Sequence, residues 1–509
     1  MTVNWQEIDE RVTREDTVHF INAALSATSQ EEFYDSSGRQ SLSLSFLHEY
    51  MRVNYPLVYV KCLAAGINHH NQGRIIINVM FNGLQNNPYK QHRSEIYDYI
   101  IAALTLMPPQ RAMKILMVLV RRRVNNRTLR RLIHDFLMMR PDPIFDAVKY
   151  RHKVKVLARH AHLKLSDLHD KGSEFNAFLF KPKRLQKFET PLFEKYRAAH
   201  YAKEAVFDLP YTIAIGLAAK HDIPADVFME KIKPQLTKAE NERLGETAKR
   251  ANVDIGHDLS RMDLTRLAIY TLSLKVKDRV ERTDEIVSAF GAAAKTALRA
   301  QPLTLPKTAA ILDRSYSTSG SYEKRRRPLA LSLGVHYLLQ EVCKNSENQN
   351  MYKAFWTLDI AEPILVTAKG QSDLITPLLA AIKWGAQQII IVSDGYENAP
   401  PFGVRQLMQV YHKNISPKIR AQDRVSFVHL NPVFDASSFD LRPISPEIVT
   451  MGLRNVQDIF TALNFARFAA GHADIKALES YLDQAMDEMM SEARNKRNAN
   501  TQFKRVQNG

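Results

Sequence analysis

The feature that most constrains this chain is a change in hydrophobic period near residue 303. Up to about residue 300, apolar residues recur at threes and fours. They predict helices over 41–54, 56–66, 92–107, 111–120, 127–139, 142–162, 191–205, 210–219, 224–232, 237–251, 262–276 and 284–300. Breaks fall at Pro88, at Pro108 and Pro109, and at Pro141 and Pro143. Beyond Leu305 the pattern becomes short apolar runs at 308–312, 353–358, 364–367, 388–393 and 425–430, separated by helical stretches at 329–342, 374–383 and 404–412. Strands alternating with helices predict a parallel sheet covered on both faces. A chain of 509 residues is also too long for one core. The expected plan is multidomain. An all-α helical-repeat region (1–302), a HEAT-like solenoid or ring of stacked helix pairs, is followed by a doubly wound, Rossmann-like α/β domain (303–490) and a basic disordered tail (491–509).

Composition narrows the setting. With 45% hydrophobic residues the chain has the makings of packed cores. No apolar run reaches the roughly 18–20 residues of a membrane span, and the polar, acidic start at residues 1–16 reads as neither a signal nor a transit peptide. Two cysteines far apart, Cys62 and Cys343, predict reduced thiols, so a cytoplasmic protein without membrane attachment is expected.

The net charge of +16 is concentrated. Residues 101–200 carry 22 Lys and Arg against 8 Asp and Glu, whereas residues 1–100 carry 8 against 11. A block this lopsided points to a polyanionic partner. Its candidate contacts are Arg121, Arg122, Arg123, Arg127, Arg130 and Arg131 around a helix junction where Asn125 and Asn126 are candidate caps, then Arg151, Lys153, Lys155 and Arg159, then Lys181, Lys183 and Arg184. Aromatics interleave with them: Tyr150, Phe175, Phe178, Phe180, Phe188 and Tyr196. Basic side chains meet phosphates and aromatic faces stack unpaired bases, the combination suited to single-stranded nucleic acid. Most of these aromatics are expected in the core, so the arginines are the stronger candidates. The run 324–327, Lys-Arg-Arg-Arg, reads as a solvated face or a second RNA contact.

Directly after the first predicted strand comes Asp313-Arg314-Ser315-Tyr316-Ser317. A carboxylate and two hydroxyls spaced by two in one loop can converge on a hard cation, which takes oxygen ligands and keeps several waters. This Asp-x-Ser-x-Ser element resembles the metal-ion-dependent adhesion site of von Willebrand factor A (vWA) domains. The resemblance implies two further loops. Gly370-Gln371-Ser372-Asp373 is similar to the family's Gly-Gly-Thr-Asp loop, with Ser372 where Thr is usual. The apolar run 389–392 with Ser393, Asp394 and Gly395 resembles the family's strand followed by Asp-Gly. The implied ligand set is Asp313, Ser315, Ser317, Ser372 and Asp394, holding Mg²⁺ or Mn²⁺. A protein partner would dock there, often with an acidic residue of its own.

A long helical region followed by a vWA domain resembles the Ro autoantigen family, whose helical part is the TROVE module. The resemblance implies a non-enzymatic, ring-shaped RNA-binding protein that takes small non-coding RNA (Y-like RNA among them) or misfolded RNA by its single-stranded ends. It rests on architecture in the helical region, so no individual RNA contact is carried over. The alternative expectation is a vWA adaptor docking a partner such as a MoxR-type ATPase.

Overall fold

In a computed structural model of the chain, the described residues are 5–168, 172–181, 187–237, 240–241, 244, 259–344, 351–420, 424–470 and 474–508. The chain forms two compact units. One comprises residues 1–71 and 259–482, the other 72–258 and 483–509. The molecule is mostly helical, with a parallel sheet in the first unit. Among the described residues, no helix is long and apolar enough to cross a membrane.

The sheet of the first unit is built from β1 (Thr308–Leu312), β2 (Tyr352–Trp356), β3 (Gln388–Val392), β4 (Ser426–Asn431) and β7 (Val449–Gly452), in the order β2-β1-β3-β4-β7, all pairs parallel. A small antiparallel ribbon, β5 (Phe434–Asp435) with β6 (Asp440–Leu441), lies between β4 and β7 in the chain. Every residue of β1 is buried, as a central parallel strand covered on both faces requires. Ala309, Ile311, Ile389 and Ile391 form one apolar core with Leu378, Ala381, Val404 and Met408 from the helices Ile375–Lys383 and Gly403–Val410. The helix Arg327–Lys344 packs against β1 and β2, and the helices Leu264–Ser273 and Thr283–Ala300 pack on it in turn. Its burial between two layers explains Gly334, where a Cβ would meet Val456 at 2.4 Å.

The edge of the sheet at β7 is closed by the N-terminal helix Trp5–Ser26. The Asn22 side-chain amide donates to Thr450 O (3.0 Å), and its oxygen accepts from Gly452 N (3.4 Å), so one side chain satisfies the free polar groups of an edge strand. The helix Ser37–Asn54 does the same for the ribbon, Gln40 donating to Phe434 O and Ser43 to Ala436 O, both at 2.6 Å.

The second unit stacks mid-length helices. Arg93–Leu106 packs with Pro109–Arg121 and Arg127–Met138; Arg151–His160 packs with Pro109–Arg121, Arg127–Met138 and Pro143–Lys149. Starts are set by Pro in the first turn and by caps: Asn126 accepts from Leu129 N (2.8 Å) and Asp142 from Phe145 N (2.8 Å).

The structure differs from the sequence expectations at several points. The division falls at 71, 258 and 482 rather than at 302. The tail is not disordered through its described length: Ile475–Asn508 is one helix of 34 residues. Leu478, Leu482, Met486, Met489 and Ala493 are buried along it, a stripe at threes and fours beneath a charged surface. In the second unit, Lys496 donates to Leu106 O and Asn500 to Met139 O. The expected strand at 364–367 is a turn and loop, because its carbonyls are taken by arginines: Arg279 donates to Ile364 O and Val366 O, and Arg314 to Thr367 O. The expected helix 142–162 breaks at Tyr150 into Pro143–Lys149 and Arg151–His160. The expected helix 237–251 lies largely outside the described residues.

His429, fully buried on β4, donates from Nε2 to Ser393 O (3.0 Å) and meets Thr450 Oγ1 through Nδ1 (3.1 Å). Burial pushes its imidazole down to about 4, with the hydrogen bond to Ser393 opposing. The unfolded chain therefore binds a proton that the folded chain refuses between about pH 6.5 and 4. Stability contributed by neutral His429 is present above pH 6.5 and is lost as the pH falls through that window, roughly 2 kcal/mol of it by pH 5. All three tryptophans (Trp5, Trp356 and Trp384) lie in this unit. Urea titrations followed by tryptophan fluorescence at pH 7 and pH 5 should show this loss, and His429→Gln should shrink the difference between the two.

Candidate metal centre

Strand order places the site. The chain leaves β1 toward β2 on one side and β3 toward β4 on the other, so the loops beyond the carboxyl ends of β1 and β3 diverge and leave a crevice between them. Leu312 is in register with Val392. Asp313 follows Leu312 directly, and Asp394 comes two residues after Val392, so the crevice receives two carboxylates.

The three loops close around Asp313, which is fully buried. Its Oδ1 accepts from Ser315 N (2.8 Å), and its Oδ2 accepts from the hydroxyls of Ser372 (2.9 Å) and Ser393 (3.2 Å). The hydroxyls of Ser315 and Ser317 are 3.2 Å apart, and Ser317 lies close enough to the Asp394 carboxyl to lower its pKa. Backbone bonds lock the first loop to the second: Tyr316 N donates to Gly370 O (3.0 Å) and Lys369 N to Arg314 O (2.7 Å). The third loop turns at Gly395, whose φ of +79° and whose missing Cβ, which would stand 2.3 Å from Arg442 O, both require glycine. Asp313, Ser315, Ser317, Ser372 and Asp394 are all buried, and the structure brings all five together.

The electrostatics are those of two carboxylates buried side by side. Burial raises the Asp313 carboxyl, opposed by its hydrogen bonds from Ser315, Ser372 and Ser393. Burial first, and the charge of Asp313 second, push Asp394 up to about 7; Ser317, Tyr396 N and Arg442 pull the other way. Two buried carboxylates repel one another unless a cation lies between them. Among the described residues no three His, Cys, Asp or Glu gather in a metal-binding group, and the oxygens this cluster offers are those of two carboxylates and three hydroxyls. All are hard oxygen donors, which fit Mg²⁺ or Mn²⁺ with waters retained, and not a zinc site of thiolates and imidazoles.

The structure adds residues that sequence reasoning missed. Ser393 and Thr357 both address Asp313, Thr357 Oγ1 at 3.5 Å from Oδ1. Their signal was legible, since each sits at the carboxyl end of a strand beside β1. Tyr34 had none. The segment from Glu31 to Asp35 runs beside the site, pinned at both ends. Ser321 donates to Glu31 O (2.7 Å), Glu32 forms a buried ion pair with Lys324, and Asp35 Oδ2 accepts from Ala436 N (3.0 Å). Between these anchors the Tyr34 hydroxyl stands near Ser317 and the charge of Asp394, and its ring lies 4.0 Å from that of Tyr396. The run 324–327 is thereby reassigned. Lys324 is buried against Glu32, Arg326 donates to Leu272 O, and Arg327 donates to Arg454 O and Asn455; only Arg325 is exposed.

In the helical unit the predicted basic residues divide. Arg121, Arg122, Arg123, Arg127, Arg131 and Lys181 are exposed. Arg122 lies over the Phe81 ring; Arg131 pairs with Asp135 over the Tyr97 ring; Arg130 donates to Asn125. Arg151 is held by Phe178 O, Lys153 by Gln110 O, and Lys155 and Arg159 lie over the Phe180 ring. The helix carrying Arg159 ends beside the arginine turn, where His160 meets the backbone of Val124 and the charge of Arg130. Lys183 and Arg184 lie outside the described residues. Phe175 and Phe178 pack with Phe193 in the interior, as core residues. No family model matches the chain, and no curated protein matches it.

Asp313→Asn keeps the shape of the site and removes one of its two like charges, while the new amide can donate to Ser372 and Ser393. Without divalent ions this variant should melt at or above the wild-type temperature. Mg²⁺ at a hundredfold its dissociation constant should stabilise the wild type by about 2.7 kcal/mol and the variant not at all. Tryptophan-monitored melts with and without Mg²⁺ read both effects; an equal Mg²⁺ shift in the two proteins would remove the site.

Proposed function

We propose that this protein is an RNA-binding protein of the Ro autoantigen type, in which the helical unit holds RNA and the α/β unit is a vWA-like module that docks a protein partner through a bound cation. The observation that carries the docking half is the convergence of Asp313, Ser315, Ser317, Ser372 and Asp394 at the switch point of the sheet. These side chains would hold Mg²⁺ or Mn²⁺, and the bound cation would supply a Lewis-acidic coordination position for an acidic side chain of the partner. The chain's own contribution is to keep the oxygens fixed: Ser315 N and Ser393 orient Asp313, and Tyr396 N orients Asp394 (3.0 Å). The proposed role is recognition, not catalysis.

The RNA half rests on the exposed arginines around the turn 121–127, in a unit whose helices are proposed to stack as HEAT-like, TROVE-type pairs in a curved array. Exposed guanidinium groups neutralise phosphates and release counterions, which ties affinity to salt. A curved helical surface suits unpaired strands, whose base faces are open to stacking, better than a rigid duplex.

Arg121, Arg122 and Arg127 are the residues to reverse, because Arg130 and Arg131 are committed to Asn125 and Asp135. The triple change to Glu should weaken binding of a hairpin with a single-stranded 3′ tail. It should also flatten the dependence of log K on log salt by about 0.7 for each phosphate that is no longer neutralised. The wild type should prefer the tailed hairpin over the same hairpin trimmed flush by about tenfold, within the reach of one stacked base. An unchanged affinity and salt slope in the triple variant would leave the docking module alone, as in an adaptor of a MoxR-type ATPase.

A further inference from the structure

The helical unit contains a cavity of about 720 Å³ whose walls include Lys149, Arg151, Lys153, Lys155, Tyr150 and Tyr196. Among the described residues, no carboxylate lines it. The buried carboxylate nearby, Asp146, is taken bidentately by Arg140, at 2.6 and 3.2 Å. The four cationic side chains are steered by rings and carbonyls rather than spread on a solvated face. Lys149 and Lys153 lie 5.4 and 5.7 Å from the centre of the Tyr150 ring; Lys153 also reaches Gln110 O, and Arg151 is fixed by Phe178 O. Burial, and then the charge of Lys114, hold Lys153 below the ordinary lysine range. Burial keeps the hydroxyls of Tyr150 and Tyr196 protonated, so both remain donors.

The cavity thus gathers four cations, the His152 imidazole and three hydroxyls (Tyr150, Tyr196 and Thr212) in a concave space, with no acid among the described lining residues to balance them. An internal phosphodiester brings a single negative charge and a strand continuing in both directions. A terminal phosphomonoester brings about −1.5 to −2 charges, three acceptor oxygens and a chain leaving in one direction only. A concavity of this size, within the usual range for a small-ligand site, takes an end more readily than a through-running strand. We propose that this cavity receives the terminal phosphomonoester of an RNA strand, so that the helical unit distinguishes phosphorylated ends from hydroxyl ends. The proposal rests on the RNA-binding reading and adds to it the chemistry of the end.

The test uses the full chain and one single-stranded RNA of fixed sequence in three forms: 5′-phosphate, 3′-phosphate, and hydroxyl at both ends. One of the two phosphorylated forms should bind at least about tenfold more tightly than the hydroxyl form. Lys153→Gln combined with Lys155→Gln, which keeps the packed stems of both side chains, should abolish that difference, so that within this variant the phosphorylated and hydroxyl forms bind equally. Equal affinity of all three forms for the wild type, or a phosphate preference surviving in the double variant, overturns the cavity assignment and leaves the RNA reading standing. If no RNA form binds, the RNA reading fails. Titration with adenosine monophosphate then decides the cavity by itself: saturable binding to the wild type and none to the double variant upholds it, and no binding to either removes it. Binding of phosphoinositide vesicles in place of phosphorylated RNA also overturns the proposal.

Discussion

The pairing of β1 with β3 is the constraint on which the α/β unit depends. These strands run parallel, in register from Thr308 with Gln388 to Leu312 with Val392, yet they belong to chain segments that wind outward in opposite directions. Such a sheet is stable only when both faces are covered, and here one face is covered by Leu378, Val404 and Met408 with their helices. The same register brings Asp313 and Asp394 to one crevice, where neither side chain reaches bulk water. Packing stability and site chemistry therefore have a common origin. The hydrophobic strands hold together two carboxylates that would otherwise separate, and hydrogen bonds from Ser315 N, Ser372, Ser393 and Tyr396 N offset part of the cost of burying them.

Arginine is used in two physically different ways. In the α/β unit, Arg279, Arg314, Arg326 and Arg327 donate to main-chain carbonyls and hold irregular segments in place. The guanidinium fork suits this task, since it satisfies several carbonyls that no strand pairs with. In the helical unit, Arg121, Arg122, Arg123 and Arg127 face solvent instead. Residue type alone does not separate these uses, and a run such as 324–327 reads on paper like the exposed cluster. Lys324 and Arg327 are drawn inward by Glu32 and by the carbonyl of Arg454, both remote in sequence.

Local signals identified the regular elements best. The buried runs at 308–312 and 388–393 are apolar enough to be strands wherever they lie, and the loops after them carry carboxylates and hydroxyls at spacings that speak for themselves. Ser372, Ser315 and Ser317 were legible for the same reason. The misreadings came where a tertiary partner overrides local character. The run 364–367 is apolar and β-branched, but Arg279 and Arg314 occupy its carbonyls. The polar tail is helical because it continues the helix that begins at Ile475, with Ala493 buried and Lys496 and Asn500 donating to the carbonyls of Leu106 and Met139.

By itself the sequence determined four of the five strands of the sheet (β1 to β4), the loops that follow β1 and β3, and the confinement of excess positive charge to one segment. These follow from periodicity and composition, which act over a few residues. Only the tertiary structure decided that the first seventy residues join the sheet, with Asn22 closing its edge and Tyr34 standing beside the buried carboxylates. The physical reason is that an edge strand and a buried carboxylate each demand a partner without specifying where in the chain it comes from. A hydrogen bond between residues 22 and 450 leaves no trace in the spacing of either.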